Sequence, residues 1–191
     1  MTTDAAPSQE NIDAFVGSAH GDAAAVRDLL ARYPGIVNLP ASWGETAIGA
    51  AAQTGQIEIA EMLLAAGAPL TIGAAAMLGR QADVAAMLPG EPGGANAAGA
   101  HGLPVLYHAV VGGHMAIAEM LLASGADPNG SAPGGTSVLH GAVMFDRPAM
   151  VRWLLSRGAD PDRPNGEGQS PRQVAEARGL EAVRQALGAG A

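Results

Sequence analysis

Ile117-Ala118-Glu119-Met120-Leu121-Leu122-Ala123-Ser124-Gly125-Ala126-Asp127-Pro128 returns, with few changes, as Met150-Val151-Arg152-Trp153-Leu154-Leu155-Ser156-Arg157-Gly158-Ala159-Asp160-Pro161. A third version stands at Ile57-Glu58-Ile59-Ala60-Glu61-Met62-Leu63-Leu64-Ala65-Ala66-Gly67-Ala68-Pro69. From Gly125 to Gly158 the step is about 33 residues, a period that marks a stack of repeated units. A glycine marker precedes each stretch at Gly21, Gly55, Gly79, Gly113 and Gly179, with Asp146 in the place of one expected glycine. The step from Gly55 to Gly79 falls short of that period by about ten residues.

Within one unit, apolar positions three and four apart, such as Ile117, Met120 and Leu121, predict a short helix with one buried stripe. Gly125 and Gly158 follow the last apolar residue, where a helix ends most easily on a left-handed glycine. The run Val138–Phe145 predicts a second helix, opened by Thr136-Ser137; in the last unit Ser170-Pro171 supplies a side-chain cap followed by proline at the first helical position. Helices this short are unstable alone in water, so they must stack on neighbours. Alanine clusters at Ala50-Ala51-Ala52 and Ala74-Ala75-Ala76 suit close helix–helix approach.

These spacings resemble the ankyrin repeat family. The best match runs from Gly135-Thr136-Ser137-Val138-Leu139-His140 to Gly158-Ala159-Asp160, and Gly102 to Asn129 matches almost as well. The resemblance implies an all-α solenoid of about six helix–turn–helix units, at about 10–38, 39–70, 71–96, 97–129, 130–162 and 163–188, behind a disordered N-terminal tail at 1–9. In the third unit Pro69-Leu70 run straight into the next helix, so its hairpin is expected to be missing. A tolerated deletion explains that; so does a notch that exposes the flank of the loop bearing Trp43. Arg172 and Glu176, four apart, are placed to pair on one helix face.

Composition removes several chemistries. The chain has 191 residues, 10 arginines with no lysine, no cysteine, and a net charge of −8. That excludes thiolate nucleophiles, zinc–thiolate sites, Schiff-base lysines and a P-loop. It also argues against nucleic acid and anionic membranes, which need clustered cations. No signal peptide or apolar span is evident, so the expectation is a cytoplasmic protein, and the alanine-, glycine- and arginine-rich usage suggests a bacterial one.

The histidines His20, His101, His108, His114 and His140 show no metal-ligand spacing. His140 falls at the family's turn-to-helix histidine, which implies hydrogen bonding between neighbouring hairpins. Tyr107 and Gly49 hold the equivalent places. His114 reads as a surface or capping residue, and His20 and His101 as exposed. No catalytic, cofactor-binding or metal-binding residue and no small-molecule substrate is expected. The implied function is binding another protein through the concave hairpin and first-helix face, by a monomer; a self-associating scaffold is the alternative. At the family's variable places stand the candidate contacts Trp43, Glu45, Gln53, Met77, His101, Leu103, Val111, Met144 and Phe145. Trp43, Leu103, Met144 and Phe145 are read as apolar anchors, and Glu45 and His101 as tuning polarity.

Overall fold

The computed structural model describes residues 6–91 and 93–188, and within them the chain is all-α. Twelve helices follow one another in consecutive pairs: α1 Gln9–Ser18 and α2 Ala23–Arg32, α3 Ala47–Gln53 and α4 Ile57–Ala65, α5 Ile72–Met77 and α6 Gln81–Met87, α7 Val105–Gly112 and α8 Met115–Ala123, α9 Val138–Met144 and α10 Pro148–Ser156, α11 Pro171–Ala177 and α12 Glu181–Gly188. The first helices form one row, α3 on α5, α5 on α7, α7 on α9 and α9 on α11.

Local chemistry sets the helix starts. Ser8, Asp22, Thr46, Thr71, Ser137 and Ser170 each accept a first-turn amide, meeting donors that the helix leaves unpaired. Ser8 caps α1, so Gln9, placed in the expected tail of 1–9, is helical; residues 1–5 of that expectation lie outside the described residues. At the other ends, Gly125 (φ +94°) and Gly158 (φ +86°) adopt the left-handed conformation the pattern required. Asp146 takes the same conformation (φ 50°) where other units use glycine. Gly21 does not, so the first turn is built differently from the rest.

Four connections close on the same turn: Ala41 N–H donates to the Glu45 carbonyl (2.8 Å), Gly99 to Leu103 (2.8 Å), Ala132 to Thr136 (3.0 Å) and Asn165 to Gln169 (2.9 Å). The segment 66–71 between α4 and α5 has no such bond among the described residues. This is the hairpin missing from the third unit.

Polar side chains stitch the stack. Asn96 Nδ2 donates to the Gly125 carbonyl while its Oδ1 accepts from Asp127 N–H, and Asn129 repeats both bonds to Gly158 and Asp160. Asn38 makes only the first of them, a longer bond to Gly67 (3.3 Å), because Pro69 stands where the others have aspartate. His140 bridges hairpins as its family position implied: Nε2 donates to the Gln169 carbonyl (2.9 Å) and Nδ1 accepts from Ser137 N–H (3.2 Å). His114 is a capping residue, though not of its own helix: its Nε2 reaches the Met77 carbonyl (2.9 Å) at the C-terminal end of α5. Arg147 does the same for Val111 and Arg178 for Met144. Arg172 pairs with Asp162 (3.1 Å) rather than with Glu176.

The core divides where the hairpin is lost. One apolar cluster runs from Ile12 to Met77 and a second from Ile72 to Leu187, and α5 gives Ala74 and Met77 to the first but Ile72, Ala75 and Ala76 to the second. Ala50, Ala51, Ala52, Ala74, Ala75 and Ala76 are fully buried, so α3 and α5 pack closely through small side chains.

Candidate binding surface

The turn from Ala41 to Glu45 carries Trp43 at its tip, with Gly44 left-handed (φ +86°). Trp43 is 50% exposed, a large apolar ring in solvent. Its ring is nevertheless held: Nε1–H donates to Glu45 Oε2 at 2.9 Å. Glu45 is turned inward, its side chain 3% exposed. Its Oε1 accepts from Gln53 Nε2 (2.7 Å) and lies 3.1 Å from His101 Nε2, and Oε2 lies 3.6 Å from His20 Nε2. A buried carboxylate needs its lone pairs met, and here Trp43 and Gln53 donate to it while His101 and His20, from two other repeat units, stand close by.

His101 reaches this cluster because the hairpin between α4 and α5 is absent. Two further details allow the approach. His101 itself is left-handed (φ 53°), and Gly49 lets Ala100 pack close: a Cβ on Gly49 would stand 3.1 Å from the Ala100 methyl. Inward of this bridge is a pocket of about 650 Å3, with Trp43, Glu45, Thr71, Gly73, Gly99 and His101 among its lining residues.

The candidate residues therefore separate. Trp43, Glu45, Gln53 and His101 come together, though Glu45 is a buried acceptor rather than a surface charge. Met77, Leu103 and Val111 are buried, which corrects their reading as surface contacts. The first helices are packed on both sides, so these side chains meet neighbouring elements and not solvent: Met77 belongs to the N-terminal cluster. Val111 packs toward Gly55, where a Cβ would stand 3.0 Å from its Cγ1. Leu103 points into the C-terminal cluster as its turn closes. Met144 and Phe145 are half-buried against that cluster, and the Phe145 ring also lies near Gly55. They stand apart from the Trp43 group.

Sequence reasoning passed over His20, read as exposed, and His108, which had no reading of its own. His108 is fully buried. Its Nδ1–H donates to the Ala52 carbonyl across the short α5 (3.3 Å), and among the described residues Nε2 has no partner. Burial pushes its pKa down to about 4, only partly offset by the Ala52 bond. Burial likewise lowers His140, with the Gln169 bond opposing and Arg163 reinforcing the shift, and raises Tyr107 to about 12. Among the described residues no three His, Asp or Glu side chains are grouped to hold a metal ion, and no helix is long and apolar enough to cross a membrane.

Comparison with known families gives two matches. Residues 72–165 match a model described as ankyrin repeats in three copies, and residues 43–74 match a single ankyrin repeat. No curated protein matches the chain.

Proposed function

The chain belongs to the ankyrin repeat family, whose members generally mediate protein–protein interaction, and we propose that this one is a non-catalytic module that binds a partner protein through its concave hairpin and first-helix side. The observation that carries the reading is Trp43, a half-exposed indole held in one orientation by Glu45. A large ring fixed before binding loses little freedom on association, which is why such residues anchor interfaces. Met144 and Phe145, half-buried on the same row of first-helix ends, supply a second and weaker contact area. The binding chain acts as a monomer, and the reading makes its location the cytoplasm.

The test is partner capture by the full chain beside its Trp43→Ala variant. The variant is expected to weaken binding by about 2 kcal/mol with its melting temperature nearly unchanged. Equal binding together with a large fall in melting temperature would make Trp43 a packing residue and remove the reading. Light scattering at micromolar concentration checks the monomer; a stable dimer would favour a self-associating scaffold.

A further inference from the structure

The pocket beside Trp43 is acidic. Glu45 and Glu91 line it and no arginine does. Glu45 is also the only buried carboxylate among the described residues. Its partners are an indole, an amide and two histidines, whereas Glu58, Glu61 and Asp162 each stand within 3.1 Å of an arginine. A buried anion whose neighbours hold no permanent positive charge still attracts a cation from outside. The chain's net charge of −8 extends that attraction beyond the pocket.

His108 lies behind the pocket wall and leaves the lining itself without a basic group of permanent charge. With the proton on Nδ1, its unpartnered Nε2 is an acceptor. That atom lies 2.6 Å from where a Cβ on Gly99 would stand and 3.2 Å from the corresponding place on Gly73, and both glycines line the pocket. The lining thus combines the carboxylates of Glu45 and Glu91 with an aromatic ring. Such a lining suits a ligand that carries positive charge, donates several hydrogen bonds and stacks on an indole. A bare metal ion lacks a ligand set here, since no three suitable side chains converge among the described residues. Half-exposed Trp43 and His101 flank the pocket from two hairpin turns, 41–45 and 99–103, a setting that suits a side chain reaching in from a segment laid across the turns. His101 holds a left-handed backbone there, a strained conformation of the kind that collects at binding sites.

We propose, granting the partner-binding reading above, that this pocket takes the side chain of a basic residue, arginine or lysine, from an extended segment of the partner, with Trp43 against its charged end and Glu45 as its counter-charge.

Selection of displayed random dodecapeptides on the full-length chain tests it. The expected result is a family of peptides sharing one basic position. Exchanging that residue for glutamine should weaken binding about tenfold or more, and so should Trp43→Ala or Glu45→Gln in the protein. If Glu45→Gln does not fold, Glu91→Gln, on a connector, is expected to give a smaller loss in the same direction. Selected peptides with no shared basic position, or insensitive to Trp43→Ala, would overturn the pocket assignment while leaving partner binding intact. Failure to select any peptide would count against partner binding itself. Blocked arginine amide competing as well as the whole peptide would show that the ligand is a free small cation, and would overturn the peptide source.

Discussion

The stretch from Leu103 to Ser170 and the stretch from Leu39 to Gly102 are built from the same repeat, yet they use their polar groups in opposite ways. In the first, each hairpin is satisfied by the next: Asn129 bonds in both directions to the following loop, and His140 hands its Nε2–H to Gln169. In the second, one hairpin is missing, the asparagine ladder thins to the single long bond of Asn38 to Gly67 before it resumes at Asn96, and polar groups converge on Glu45 instead. Regular repetition consumes its own hydrogen-bonding capacity and leaves a smooth surface. Removing one peripheral loop leaves the helical stack standing and opens a pocket in which donors, acceptors and an indole remain available.

The largest effect expected is on the regular half. Leu121 and Leu154 are fully buried in the C-terminal cluster, so Leu121→Ala or Leu154→Ala should cost about 2–5 kcal/mol in urea denaturation. If either variant melted only the C-terminal repeats, with the signal of Trp43 unchanged, the two apolar clusters would be separate cooperative units.

Acid should act most on the boundary between the two. His108 titrates near 4 in the folded chain and near 6.5 unfolded, so the unfolded state binds the extra proton over that interval. The stability associated with neutral His108 is complete above about pH 6.5 and is lost as pH falls toward 4, up to about 3 kcal/mol. His140 shifts in the same direction and adds to the loss. Denaturation midpoints measured between pH 7 and 4 check this; a flat profile would mean that His108 is reached by water.

The ladder gives a smaller contrast. Asn129→Ala removes two bonds and should cost about 1–2 kcal/mol, against about 0.5–1 for Asn38→Ala, which removes one. Equal losses by thermal denaturation would break the distinction drawn between the halves. The smallest effect is a gain: Asp146→Gly relieves a left-handed aspartate and should add about 0.5–1 kcal/mol to the melting stability.

Much of the fold was legible. The repeat of Gly125 at Gly158 located the helix ends, Ser137 and Ser170 located helix starts, and the short step from Gly55 to Gly79 located the missing hairpin, because each is a local backbone requirement written in one or two residues. The binding surface was only half legible. Trp43 is exposed as its loop position suggested, but Met77 and Val111 are fully buried at the places where Gln53 and Met144 stand half-buried in other units. No local signal marks that difference.

By itself, then, the sequence determined the all-α repeat stack and the place where regularity fails, since helix periodicity, caps and left-handed glycines depend on neighbours a few residues away. Only the tertiary structure decided that Glu45 is buried, that His20 and His101 meet it from other units, and that His108 lies behind Gly73 and Gly99. Apart from the approach of His108 to Gly99, those contacts join residues 25 or more positions apart. They depend on how far one row of helices closes up when a loop is left out, a distance set by packing and not by any single stretch of chain.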